Sequence, residues 1–346
     1  MARNPLFAVK PSLAGGQWVA RLPAGVLGAA FVLLWSTGYP AARVALDHAT
    51  PFTVLVARFA CAGLIYAVLA LASRAAWPRG RAALHSAVVG LLQLALQFGA
   101  LYLAAARGVN VGLIALVIGT MPIVTALLGR ALGEAVRPLQ WLGFAFGFGG
   151  VALAVGEGVG PGNGVGTTAY LAVVVGLLAV SSGTLYQKRF GSSVDLRTGL
   201  ALQHGVAALA LLPFAAHEGA SFDASAALFV SLAWMIAVNS LGAFALFFVL
   251  LRRGAVNQVA ALFFLMPPVT AVIDYLVLGD RLTLLKVSGI AAAAFGVYLA
   301  TRPRPAQRAR ASAPAPAAAA RAAAVSHRGL SAPRPAIPRS YPTPCK

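Results

Sequence analysis

Ten runs of about 20 mostly apolar residues, separated by short loops that hold Gly, Pro and most of the charge, constrain this chain before any motif is read. A helix that crosses a bilayer needs about 20 such residues. Inside hydrocarbon, only a helix or a closed barrel can satisfy its own backbone. The runs are 24–45, 51–73, 84–106, 109–129, 138–156, 168–187, 198–216, 226–251, 255–278 and 283–302. Only 10% of residues are charged, against roughly 25% in a soluble domain. The expected fold is therefore all-α, a polytopic membrane protein of ten transmembrane helices. The first run follows Arg3, Lys10 and Arg21, as a signal peptide would, but its counterpart later in the chain makes it a span.

Basic residues set the expected orientation, since short cytoplasmic loops collect Lys and Arg. With the N-terminus inside, thirteen basic residues before the tail fall on inner segments and four, Arg43, Arg107, Arg281 and Lys286, on outer loops. Both termini are then cytoplasmic, in a bacterial inner membrane. The net charge is +19, but nine of the 27 basic residues lie from Arg302 onward. Nucleic-acid binding is excluded on that ground, because no soluble domain is left to carry it. The tail, 303–346, is low-complexity Ala, Pro and Arg, and is expected to be disordered. Cys61 and Cys345 suggest neither a disulfide framework nor a metal site, and no cofactor is expected.

Shifted by 146 residues, the second half answers the first. Arg107 matches Arg253, Pro122 matches Pro268, and Leu132-Gly133-Glu134 matches Leu278-Gly279-Asp280. The same offset pairs Ser36 with Ser182, Arg58 with His204 and Gln93 with Asn239. Each half holds five spans, an odd number, so the halves insert in opposite orientation. Inverted repeats characterise many secondary transporters, whose substrate sites lie between the repeats near the midplane. The expected organisation is an N-terminal segment 1–23, a first repeat 24–156, a connecting loop 157–167, a second repeat 168–302 and the tail.

Several polar residues inside the spans are candidates for a solute site. Arg58 stays charged at ordinary pH and lies roughly 10 Å into its helix, at ~1.5 Å per residue from Pro51. It either anchors the helix or serves as counter-ion to a substrate carboxylate or an acidic side chain. Gln93 and Gln97 share a helix face, and Asn239 repeats Gln93. These amides are interhelical glue or cavity lining. Trp35, Ser36 and Tyr39 can stack on and hydrogen-bond an organic solute, or anchor the span at the interface; Ser182 joins the group through the repeat. Pro40, Pro122, Pro267 and Pro268 each free a carbonyl four residues back, giving kinks or hinges. His204 and Asp274 are the candidates for proton coupling. Glu134 and Asp280 precede helices and act as caps or gates. Gly143 and Gly147 form a GxxxG face, suited to internal packing or to a homodimer seam.

The segments "LLWSTGYPA", "ARF", "LGE…GFGGVALA" and "LGD…GIAAAAFGVYLA", in this order across 24–302, resemble the EamA-type family of the drug/metabolite transporter superfamily. The sixth span departs from that pattern, with "SSGTLYQKR" where many members carry a tryptophan. The resemblance implies a membrane carrier of small metabolites, often amino acids or drug-like molecules, with a cavity between its halves. The sequence has no GxxxxGK[ST] phosphate loop, so an ion or solute gradient would supply the energy. A membrane scaffold or receptor with a basic tail, and an intramembrane enzyme, are the alternative readings. The favoured one is not an enzyme but an exporter working by alternating access.

Overall fold

The computed structural model describes residues 22–109, 111–131, 133, 136–156, 165–254, 256–278 and 283–301. Its ten helices are α1 (Ala24–Leu46), α2 (Pro51–Ala72), α3 (Arg81–Ala106), α4 (Val111–Gly119 and Met121–Ala131), α5 (Pro138–Gly156), α6 (Thr167–Phe190), α7 (Leu196–His217), α8 (Ala226–Arg253), α9 (Val256–Ala261, Leu262–Leu265 and Met266–Leu278) and α10 (Leu284–Thr301). Seven of these are long and apolar enough to cross a membrane, α1 with a turn at Thr37, while α4, α5 and α9 offer shorter apolar stretches. The α4 helix is interrupted at Thr120, just before Pro122. In α9 a tight 3-10 turn, Leu262–Leu265, stands just before Pro267 and Pro268. Proline removes an amide donor and crowds the preceding turn, so matched prolines break matched helices.

The duplicated halves run in opposite directions, and two helix pairs show it directly. The Phe52 and Phe214 rings lie 5.2 Å apart at one end of α2 and α7, and Thr198 Oγ1 donates to the Ala76 carbonyl at 3.0 Å beyond the other. Between them, a Cβ on Gly63 would stand 3.2 Å from the Gly205 nitrogen. The α5 and α10 helices pack the same way. Gly143 faces Gly296 and Ala300, whereas Gly150 faces Gly289 and Ala293, so one helix ascends as the other descends. A Cβ on Gly150 would come within 2.3 Å of the Ala293 nitrogen, nearer than a real side chain approaches. The GxxxG face is therefore occupied inside the chain, its glycines letting backbone meet backbone. Other contacts also cross between halves: α1 packs on α8 and α9, and α6 on α3 and α4.

Two further irregularities are repeat-related. Leu91–Leu96 in α3 and Met235–Ala243 in α8 are π-helical. A wide turn skips hydrogen bonds and re-aims side chains, often at functional sites. The Tyr66 hydroxyl donates to the carbonyls of Leu241 at 2.8 Å and Ser240 at 3.1 Å within the second such turn. At the start of α7, Asp195 accepts from the Arg197 backbone N–H at 2.9 Å and from its guanidinium at 3.0 Å. Burial pushes the Asp195 carboxyl up, but the bonds from Arg197 outweigh it and hold the group below the usual carboxylate range.

Candidate solute-binding cavity

A cavity of about 100 Å³ lies among α1, α2, α3, α4 and α8. It extends from Trp35, Arg58 and Asn239 at depth to Arg43, Leu46 and Ala105 near the end of the bundle that carries the α1–α2 and α3–α4 loops. Its inner wall is aromatic and amide-bearing: Trp35, Tyr39, Gln97, Phe98, Tyr102 and Asn239.

Arg58 supplies the charge at depth, and Arg43 stands nearer the mouth. The Arg58 side chain is buried, at 3% exposure. Nε donates to Ser240 Oγ at 2.9 Å, and the guanidinium carbon lies 4.9 Å from the centre of the Phe98 ring and 5.5 Å from that of Phe59. Tyr102 interacts with the same guanidinium. A ring face attracts a cation, and these partners hold the group away from lipid. None of them carries a full negative charge, and among the described residues no carboxylate pairs with Arg58. A buried charge without a counter-charge is costly, so the geometry leaves the guanidinium fit to accept an anionic group.

Asn239 is fixed by the backbone of α1. Its Nδ2 donates to the Leu34 carbonyl at 2.7 Å and to that of Trp35 at 3.4 Å. Gly38 makes this approach possible, because a Cβ there would stand 2.8 Å from Nδ2. Within the π-helical turn, consecutive residues of α8 serve different partners, Asn239 reaching α1 while Ser240 holds Arg58 on α2. Pro40 frees the Ser36 carbonyl as the sequence predicts, and Thr270 Oγ1 of α9 donates to it at 3.4 Å.

Trp35, Tyr39, Arg58, Gln97 and Asn239 thus meet at one cavity. Three other expected lining residues lie elsewhere. Ser36 is fully buried and donates to the Met266 carbonyl at 3.3 Å, linking α1 to α9. Gln93 Nε2 donates to Thr184 Oγ1 on α6 at 2.9 Å. The Ser182 hydroxyl bonds back to its own helix at Leu178, at 2.6 Å. His204 is buried among the rings of Phe59, Tyr66 and Phe244. Its Nδ1 lies 2.9 Å from the Leu200 carbonyl, and among the described residues Nε2 has no hydrogen-bond partner. The Asp274 side chain, Glu134 and Asp280 fall outside the described residues. Sequence reasoning missed Gly38, Phe98, Tyr102 and Ser240. Phe98 and Tyr102 had a signal: they lie four apart and flank the Gln97 face of α3.

A larger hollow of about 690 Å³ lies between α2, α3, α6 and α7. Its walls are apolar apart from Thr168, so it has little with which to orient a polar solute.

Residues 22–156 and again 167–302 match the EamA-like transporter family. The chain is 25% identical over 280 residues to the uncharacterized inner membrane transporter YedA of Escherichia coli K12, covering 80% of this chain and 90% of that one. It is 26% identical over 285 residues to the uncharacterized transporter YvbV of Bacillus subtilis 168, covering 77% and 87%. A solved crystal structure superposes with a TM-score of 0.69 at 19% identity, over 80% of this chain and 96% of that one, which speaks to the fold alone. With ten helices, two repeats running in opposite directions and a family match over both halves, the chain belongs to the EamA-like transporter family of membrane proteins.

Proposed function

We propose that this transporter is a secondary carrier that exports small organic solutes, amino acids or drug-like molecules with an anionic group, by alternating access between its inverted halves. The observation that carries the reading is Arg58: a buried guanidinium, without a carboxylate partner among the described residues, at the wall of a cavity between repeats. A carboxylate matches its planar fork of donors. The wall rings give an organic body surfaces to stack on. The charge distribution supports a bacterial inner-membrane location with both termini cytoplasmic, so the cavity faces outward in this conformation. The proposal assigns no chemical step to the protein and no nucleic-acid partner.

The test is efflux from proteoliposomes preloaded with a labelled amino-acid mixture. The wild type should release at least one amino acid faster than empty liposomes, and Arg58→Ala should lose that release. Equal release by the variant would remove Arg58 from the site. Proton coupling through His204 is part of the same proposal, supported by its Nε2, unpartnered among the described residues. An imposed pH gradient should accelerate release by the wild type and leave His204→Gln unaffected.

A further inference from the structure

Ser240 of α8 is gripped twice from α2. Its hydroxyl oxygen accepts from Arg58 Nε at 2.9 Å, and its carbonyl accepts from the Tyr66 hydroxyl at 3.1 Å. The same hydroxyl reaches the Leu241 carbonyl at 2.8 Å. The phenol ring is buried, at 5% exposure. Arg58 and Tyr66 lie about two turns apart on α2, so both meet the same stretch of α8.

The hydroxyl makes good a loss that the wide turn creates. In a regular α-helix the Phe244 N–H would bond to the Ser240 carbonyl, four residues back. At the end of Met235–Ala243 it bonds instead to the Asn239 carbonyl, five residues back. Ser240 loses that donor, and a buried carbonyl deprived of a donor is unfavourable. Tyr66 supplies one from the neighbouring helix.

The repeat separates this arrangement from the needs of the fold. At the offset of 146, Arg58, Tyr66 and Ser240 correspond to His204, Leu212 and Leu94. The wide turn of α3, Leu91–Leu96, therefore forms without a hydroxyl at either equivalent position, and His204 bonds to its own helix at Leu200. The interlocked trio stands only in the half of the pattern where Arg58 lines the cavity. We infer that Tyr66 is a positioning residue for the solute site: through the Ser240 peptide, its hydroxyl sets where the Arg58 guanidinium stands, without itself touching the solute. The inference rests on the proposed function, since it needs Arg58 to hold the solute. A Ser240 peptide released by Tyr66 would carry its side-chain hydroxyl off Nε. The guanidinium could then turn, and holding a planar fork ready for an anionic group is what makes it effective.

The experiment uses the full-length protein in proteoliposomes and reads initial efflux rate against internal concentration, for an amino acid that the wild type releases. Tyr66→Phe deletes the hydroxyl and keeps the ring, whose centre lies 5.6 Å from that of His204. It should raise the half-saturating concentration about fivefold, the scale of one neutral hydrogen bond, and leave the maximal rate within about twofold. Ser240→Ala should raise the half-saturating concentration by a similar factor. The double variant should stay within about twofold of either single one, because both changes act along one route to one guanidinium; independent effects would multiply to about 25-fold. Hydrogen exchange of the same protein supplies a readout that does not need transport. In Tyr66→Phe the amides of 239–244 should exchange about fivefold faster, and those of Leu91–Leu96, the wide turn without such a hydroxyl, should not change. A wild-type concentration dependence in Tyr66→Phe, or multiplied effects in the double variant, overturns the positioning role. If Arg58→Ala still abolishes release, the proposed site stands and only this inference fails. Unchanged exchange at 239–244 overturns it as well, even where release weakens, since the hydroxyl then does not hold the turn. If the wild type releases no amino acid, the inference falls together with the reading it rests on.

Discussion

The cavity around Arg58 and the region that the repeat places opposite it use equivalent positions to opposite effect. At an offset of 146, Arg58, Phe98, Leu101, Tyr102 and Ala105 correspond to His204, Phe244, Phe247, Phe248 and Leu251. The first set lines an open cavity. The second is packed solid: Phe244, Phe247 and Phe248 are almost fully buried, with Phe247 stacked on Phe31 at 5.5 Å and Phe244 against Trp35 at 4.9 Å. Lys188, the counterpart of Ala42 on the cavity wall, donates to the carbonyls of Leu251 and Gly254 and closes the end of α8. Near-symmetry of the backbone with asymmetry of filling means that one end of the bundle is open while the other is plugged with rings. The alternating access proposed for this transporter would need this difference to be reversible.

The largest effect should come from the plug. Phe247→Ala leaves a hole among Phe31, Trp35 and Phe263 and should cost about 3–5 kcal/mol, read as a lower melting temperature of the purified protein. An unchanged melting temperature would mean that the closed region is not tightly packed, and the contrast with the cavity would vanish. Next comes Arg58→Leu, which should weaken binding of a carboxylate solute by about 2–3 kcal/mol, the worth of a charged hydrogen bond. Because it removes a buried, unpaired charge, the empty protein should melt no lower than the wild type. Marked destabilisation instead would identify Arg58 as an anchor. Gly38→Ala should displace Asn239 and cost about 1–2 kcal/mol, a lost hydrogen bond with a buried amide left unsatisfied, read in the melting temperature of the ligand-free protein.

The smallest effect belongs to the helix ends. Asp195→Ala removes an N-cap from α7 and should cost about 1 kcal/mol at neutral pH. Since the folded protein holds this carboxyl below its ordinary value, its contribution is full above the unfolded value of about 3.9 and disappears as pH falls through the lower folded value. Melting curves of wild type and variant should therefore converge in acid.

Ten helices and their opposed repeats were legible because apolar runs, loop charge and one constant offset all point the same way. The span of α3 starts at Arg81 and that of α6 runs on to Phe190, since long basic and aromatic side chains near a helix end can reach the interface. The site was only half legible, and the repeat itself explains why. Gln93 and Asn239 are equivalent in sequence, yet Gln93 is spent on Thr184 whereas Asn239 reaches the cavity. Ser36 and Ser182 are equivalent too, and one ties helices together while the other bonds to its own turn. An offset can pair residues, but it does not say which member faces the open side. The π-helical turns in α3 and α8 had no signal in residue type, because a wide turn depends on what packs against it. Tyr66, which supplies the hydrogen atom for two of the carbonyls, comes from another helix altogether.

Along the glycine faces of α5 and α10 the two main chains touch with no side chain between them. Such a seam has no compressible layer, and sliding either strut by even one residue would drive a methyl or larger group into an amide. The pair therefore behaves as a single stiff beam, one half contributed by each repeat. In the alternating access proposed for this transporter, the helices that move would pivot against that beam.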